Sequence, residues 1–355
     1  MNITYLLGAG ASANCLPVIN ELPIRLRHLR DELRANSVNF PEDIDENLLK
    51  CIDEILIDIE SHTTIDTLAK KYYLTGKLEK LKRLKKVLIT YFQYEQSFIE
   101  GIIRKSTLKE VPDKRYDSFI ATIIDNHIKN LSLPNNFKII TWNYDIQFEL
   151  AYQEYLNDKT HLEIQKVIQA IPSTEFISDE FTPDINKFML IRLNGIAGCN
   201  KSLLDKGKAL KFQDTFSRGK FLNAVKDFFL SLPEEDIKLL NYSWEKNEEF
   251  ELAHNKLIQI QEIAKKIMFE TNILVIIGYS FPLFNRSVDK ELVCSLQSHL
   301  VKNIYIQDTP ERAKEMKDLI IDSFENLQQM NEESPHKIKE VSYTGQFFIP
   351  PQTTI

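Results

Sequence analysis

The 355-residue chain carries four cysteines, Cys15, Cys51, Cys199 and Cys294, and none stands in a C-x-x-C pair. That scatter suggests neither a zinc knuckle nor a disulfide framework, so no metal is expected and a reducing, cytoplasmic setting fits best. No apolar run approaches the ~18 residues that a membrane-spanning helix needs, so no membrane partner is expected. The chain has no P-loop of its own, since no G-x-x-x-x-G-K-[ST] occurs. Positive charge is in short supply as well: 44 Lys and Arg against 51 Asp and Glu leave a formal net charge of −7. Nonspecific nucleic-acid affinity comes from neutralising many phosphates, which argues against direct nucleic-acid binding. Repeats and low-complexity tracts are missing too. The opening "ITYLLGAGASANC" loosely resembles a lipoprotein signal, but it lacks a basic n-region, and Asn14 stands where a small residue should precede the cysteine. The chain is therefore read as soluble and mature from Met1.

What is present is ordinary globular material, 43% hydrophobic and 27% charged, enough for one large domain or two modest ones. Short apolar runs rich in Ile, Val and Tyr alternate with amphipathic stretches. The runs are "ITYLLGAG" (3–10), "FKIITWNYD" (137–145), "FMLIRLNG" (188–195), "ILVIIGYSF" (273–281) and "NIYIQD" (303–308). Several are apolar at successive positions, as expected for strands covered on both faces by helices. Helical patterns follow at 145–156, 219–232, 255–270 and 311–327. The fold class expected is α/β, a Rossmann-like parallel sheet with helices on both faces.

Residues 20–131 interrupt the alternation with an almost wholly helical pattern, read as a helical module inserted after the first strand. The remaining segments, 1–19 and 132–310, form the Rossmann-type domain, and 311–355 a C-terminal helix and tail, with "FFIPPQTTI" expected as a loose end. Inside the module, "KLEKLKRLKK" (77–86) is basic, but Leu78, Leu81, Leu84 and Leu88 repeat at helical spacing. A solvated face opposite a core-facing stripe explains it. A second break, 196–250, is expected to cap a site or meet a partner.

Ligands of open parallel sheets bind beyond the carboxyl ends of the strands, so the residues at those ends are the site candidates. The first run ends in Gly8-Ala9-Gly10-Ala11-Ser12, where glycines allow close approach to a phosphate and N–H groups can point at it. A tight turn is an equally good reading, because the third glycine of G-x-G-x-x-G is missing. The second ends in Thr141-Trp142-Asn143-Tyr144-Asp145, with an amide and a carboxylate on one side of the strand end, although Asp145 also suits a helix N-cap. The third ends in Asn194-Gly195 and the fourth in Gly278-Tyr279-Ser280.

Taken in order, "GAGAS", "T-x-N-Y-D", "[IL]-x-L-x-G" and "GYSF" resemble the SIR2 (sirtuin-like) family of NAD-binding proteins, with about thirty residues carrying the likeness between positions 3 and 308. The form with Leu16-Pro17, Asn143 to Asp145, Ile277 to Pro282 and Phe284-Asn285-Arg286 is most similar to bacterial SIR2-like domains of antiphage defence systems. The resemblance implies NAD as substrate or ligand. It implies that Gly8, Ala9, Gly10, Ala11 and Ser12 hold the pyrophosphate, with Pro17, Thr141, Gly195 and Asn285 also at the cofactor site. Gly278, Tyr279 and Ser280 would lie under the adenosine ribose, with Gln307 or Asp308 on its hydroxyls. Asn143 would stand near the nicotinamide ribose and Asp145 at the nicotinamide amide. The implied reaction is hydrolysis of NAD+ to ADP-ribose and nicotinamide. The implied partners are further copies of the chain and a defence-system protein such as an ATPase.

Two departures from the family pattern stand out. The two C-x-x-C pairs of deacetylating sirtuins are absent, which weakens a deacetylase reading. Where the family carries histidine before glycine, this chain reads Leu193-Asn194-Gly195, and asparagine cannot accept a proton at neutral pH. Three accounts stay open: a hydrolase in which Asn194 only orients and another residue, with His62 and His161 as candidates, supplies the base; an NAD or ADP-ribose sensor; and a structural subunit of a defence complex.

Overall fold

The computed structural model describes residues 1–18, 20–36, 47–62, 64–96, 112–124, 131–156, 161–173, 182–197, 218–245 and 251–353. Seven strands among these form one sheet: β1 (Ile3–Leu7), β2 (Phe137–Thr141), β3 (Ala170–Ile171), β4 (Met189–Arg192), β5 (Ile273–Ile277), β6 (Asn303–Gln307) and β7 (Ile338–Val341). Their spatial order is β3-β4-β2-β1-β5-β6-β7, and every pairing is parallel. The fold is α/β and Rossmann-like.

The successive apolar residues have the expected cause. Every residue of β1, β2 and β5 is buried, and alternate residues enter opposite core layers. Leu6, Ile140, Leu274 and Ile276 pack with Ile260, Ala264 and Ile267 of the helix Glu251–Phe269 and with Leu292 of the helix Arg286–Cys294. Ile3, Tyr5, Leu7, Ile139 and Val275 face the other way, onto Phe119 and Ile120 of the helix Lys114–Ile123 and Phe148 of the helix Gln147–Gln153.

A third apolar cluster belongs to the insertion. The helices Leu22–Ala35, Leu48–Ile59, Ile65–Leu74 and Leu78–Gln96 bury Leu26, Leu29, Ile52, Ile55, Leu68 and Leu84 together, joined by Phe221, Leu222 and Phe229 of the helix Arg218–Ser231. The two breaks in the alternation thus build one helical body. One part of 20–131 does not join it: the helix Lys114–Ile123 covers the sheet.

The basic run is less solvated than expected. Leu81, Leu84 and Leu88 are buried and Leu78 is half-buried, but Lys80 pairs with Asp58 (2.6 Å), Lys82 with Glu234 (3.4 Å), Arg83 with Glu54 (3.6 Å) and the buried Lys85 with the buried Glu245 (2.7 Å).

Two expectations about the C-terminus are corrected. The sheet does not end near 310, since β7 joins β6 in register, and the helix expected over 311–327 divides into Pro310–Ser323 and Glu325–Glu333 at Phe324, whose φ is −129°. Nor is the tail loose. Phe347 stacks edge-on against Tyr116 (4.8 Å) and Phe119 (5.8 Å), Phe348 packs on Tyr305 (4.6 Å), and the Tyr5 hydroxyl donates to the Phe348 carbonyl (3.1 Å). Aromatic burial of this kind contributes roughly 1.5–3 kcal/mol per ring, enough to hold a strap of chain. No helix among the described residues is long and apolar enough to cross a membrane.

Candidate functional site

The chain runs from β1 outward to β2 on one side and returns at β5 on the other, so the strand order reverses at β1. At such a switch point the loops leaving neighbouring strands diverge and leave a crevice at their carboxyl ends. Here the crevice lies between the loops after β1, β2 and β5, and Ala9, Gly278, Ser280 and Pro282 line both of its lobes.

The glycines owe their identity to the meeting of two of these loops. A Cβ on Gly8 would stand 2.5 Å from the Gly278 carbonyl oxygen, one on Gly10 2.7 Å from the Gly278 Cα, and one on Gly278 2.5 Å from Gly10. Gly278 also adopts φ +57°, where a side chain is strained. The Gly8 N–H donates to the Ile277 carbonyl (3.0 Å), the Gly10 N–H to the Gly278 carbonyl (3.0 Å) and the Ala11 N–H to the Gly8 carbonyl (2.9 Å). These donors serve the loop pair, so the turn reading of "GAGAS" accounts for them.

The inner lobe, about 800 Å³ with its open mouth included, is lined by Ala9, Ser12, Asn143, Asp145, Asn194, Tyr279, Ser280 and Asn285, with Pro17 at its rim. Its polar side chains hold one another. Asn143 donates from Nδ2 to the Gly8 carbonyl (2.9 Å) and lies 3.4 Å from Ser12 Oγ, while its backbone N–H donates to Thr141 Oγ1 (3.0 Å). Ser12 Oγ donates to Asp145 Oδ2 (2.8 Å) and meets the buried Tyr116 hydroxyl (3.1 Å). The other Asp145 oxygen accepts from the Gln147 N–H (3.2 Å), a capping contact at the start of the next helix, so the N-cap reading of Asp145 also holds. Burial pushes the Asp145 carboxyl up to about 6, against the pull of Ser12, Gln147 and Arg192. Tyr279 stacks on Trp142 (5.8 Å between centroids) and donates to Asp289 (2.8 Å), whose carboxyl burial pushes up to about 7. Asn285 Nδ2 donates to the Tyr279 hydroxyl at 3.2 Å.

The outer lobe, about 1410 Å³ by the same measure, is lined by Gly10, Asn14, Arg115, Gln307, Asp308 and Arg312 among others. Asp308 keeps a loose ion pair with Arg312 (3.9 Å) and accepts from the Thr309 N–H (2.8 Å). Gln307 does not offer its amide to a ligand: Nε2 donates to the Tyr343 and Gln346 carbonyls (2.5 and 2.6 Å), and Oε1 accepts from the Phe348 N–H (2.9 Å). It pins the tail instead.

Asn194 is committed as well, with Oδ1 accepting from the Ser243 N–H (3.2 Å) and Nδ2 reaching the Trp142 carbonyl (3.5 Å). Gly195 does not line the cleft. It has φ +81°, and a Cβ there would fall 1.9 Å from the Leu239 carbonyl oxygen, so it is a packing glycine. His62 points its Nδ1 at the Asp58 carbonyl (2.7 Å) and does not line either lobe. The His161 side chain and Cys199 lie outside the described residues.

Sequence reasoning missed several residues. Arg115 donates from Nη2 to the Gly10 and Ala11 carbonyls (3.2 and 2.9 Å) and to Asp113 (2.7 Å), clamping the glycine loop from the insertion's last helix. Arg192, fully buried, pairs with Glu149 (2.5 Å) and donates from Nε to the Asp145 carbonyl (2.9 Å). Asp66 and Phe92 of the inserted body line the inner lobe. Only a carboxylate at the start of a helical pattern could have flagged Asp66.

No protein-family model matches the chain, and no curated protein does. Among the described residues no group of three or more His, Cys, Asp or Glu side chains is placed to hold a metal ion. The inner lobe holds a polar, mutually bonded amide–carboxylate–hydroxyl set at the end of a parallel sheet, walled by Leu16, Leu22, Phe92 and Trp142. Such a pocket shields a developing positive charge from bulk water while facing it with carboxylate oxygens.

Proposed function

We propose that this chain is a SIR2-like NAD-binding protein that hydrolyses NAD+ to ADP-ribose and nicotinamide. The single observation that carries this reading is the convergence of Ala9 and Ser12, Asn143 and Asp145, and Tyr279 and Ser280, one pair from each of three strand ends, on one cleft at the topological switch point. In this reading the nicotinamide ribose sits in the inner lobe and the adenosine end in the outer one. Cleavage of the C1′–N bond returns the electron pair to the pyridinium nitrogen, nicotinamide leaves neutral, and water adds to C1′ with release of one proton. Ser12, itself met by the Tyr116 hydroxyl, holds Asp145, and the Gly8 carbonyl holds the Asn143 amide, so both groups are fixed before substrate arrives. Action as an effector of antiphage defence, in a cytoplasmic homo-oligomer whose basal turnover a partner such as an ATPase raises, rests on the resemblance alone.

A sensor that binds NAD or ADP-ribose without cleaving it is favoured by one observation, the commitment of Asn194 to Trp142 and Ser243 where the family has its base. Nicotinamide release from NAD+ by the purified protein separates the two. The hydrolase releases it, and Asn143→Ala abolishes release; unchanged turnover in that variant refutes the site.

A further inference from the structure

The hydrolase reading leaves one role empty. Water attacking C1′ must give up a proton, and Asn194 cannot take it. The proton acceptors on the inner lobe are two carboxylates, Asp145 and Asp66. Those of Asp145 are already engaged, Oδ2 by the Ser12 hydroxyl at 2.8 Å and Oδ1 by the Gln147 N–H at 3.2 Å. Asp66 is held far more lightly, its partner among the described residues being the Tyr144 hydroxyl at a long 3.4 Å. It stands in the first turn of the helix Ile65–Leu74, which Thr64 caps by accepting from the Thr67 N–H (3.1 Å), so its backbone is fixed although its carboxylate is nearly free. The helix belongs to the inserted body, packed by Ile65, Leu68 and Ala69 into that body's core, so Asp66 is brought to the cleft by the insertion and not by a strand end.

We infer that Asp66 is the general base of this cleft, taking the proton from the water that attacks C1′ as the C1′–N bond breaks. The inference rests on the NAD-hydrolase reading. The proton passes from water oxygen to the Asp66 carboxylate and then to solvent; the water oxygen becomes the anomeric hydroxyl of ADP-ribose, and nicotinamide carries away the bonding pair. The apolar wall of Ile65, Phe92 and Trp142 suits the role, because burial lifts the Asp66 carboxyl to about 6, high enough to accept a proton and low enough to be ionised at neutral pH. Tyr144 and Tyr242, the hydroxyls whose surroundings include Asp66, are both pushed well above the usual tyrosine range and stay protonated.

The test compares Asp66→Asn, Asp66→Ala and Asp66→Glu with the parent chain, reading NAD+ affinity by calorimetry and nicotinamide release by chromatography. Asp66→Asn keeps an oxygen for the Tyr144 hydroxyl and therefore keeps the fold. The expected result is a fall in kcat of ~10²–10⁴-fold with NAD+ affinity within a few-fold of the parent, and partial recovery in Asp66→Glu. Azide is an anionic nucleophile that needs no base, so it restores nicotinamide release in Asp66→Ala, yielding ADP-ribosyl azide. Turnover within three-fold of the parent in Asp66→Asn, or no azide rescue, overturns the assignment. A parent chain that binds NAD+ yet releases no nicotinamide overturns it too while leaving NAD+ binding intact; failure to bind NAD+ at all removes the reading beneath it.

Discussion

The two lobes of the cleft share a floor and differ in almost everything else. Around the inner lobe, Ser12, Asn143, Asp145, Asn194 and Tyr279 are buried and each is bonded to a neighbour. Around the outer lobe, Asp308 and Arg312 share a loose ion pair at the surface, and Gln307 has turned away to hold the tail. A network of buried polar groups is rigid because every member would be left unpaired by movement, whereas exposed groups adjust at little cost. The inner lobe is thus built to fix atoms and the outer lobe to accommodate them.

Four measurements break or sharpen that contrast, the first having the largest effect. Arg192→Met strips the inner lobe of the cation beneath Asp145 and leaves the fully buried Glu149 carboxylate unpaired, so urea unfolding should register a loss of about 3–5 kcal/mol. A loss under 1 kcal/mol would show that the inner network does not depend on that pair. Gly278→Ala strikes the shared floor, where the new methyl meets Gly10 and φ is +57°; a loss of about 2–3 kcal/mol is expected, with binding at both lobes impaired together.

The third concerns pH. Asp145 and Asp66 are pushed up to about 6 and Asp289 to about 7, against an ordinary value of 3.8. A carboxyl whose folded value is raised binds its proton more readily in the folded chain. Its stabilising contribution is complete below the ordinary value and is lost as pH rises through 6 to 7. Stability should therefore rise from pH 8 to pH 5, and Asp289→Asn should flatten part of that slope. A stability that falls over this window would mean that other titrations dominate. The smallest effect belongs to the outer lobe, where Asp308→Ala should leave the melting temperature unchanged and stability within ~0.5 kcal/mol.

The sheet was legible where burial on both faces writes continuous apolar runs, as in β1, β2, β4, β5 and β6. It was not legible in β7, where "IKEV" alternates a buried Ile338 with partly exposed Lys339 and an exposed Glu340, nor in β3, which is two residues long. The strand-end residues were legible because a parallel sheet gathers its tips wherever its order reverses. What each tip does was not. Gln307 reads as a ligand group until the tail claims its amide, and Gly195 reads as part of a site until Leu239 is found against it. Asp66 and Arg115 stayed hidden because tertiary packing alone brings the insertion over the cleft.

The contact between the loops of Gly10 and Gly278 joins positions that emerge from synthesis about three quarters of the chain apart. No early folding unit can contain the crevice, since its second wall arrives with β5 and depends on long-range parallel pairing. A chain that stops short of β5 carries the glycine loop without the surface that shapes it. A chain of this architecture has no complete crevice until β5 has been made, which for a protein that destroyed NAD would spare the cell that makes it.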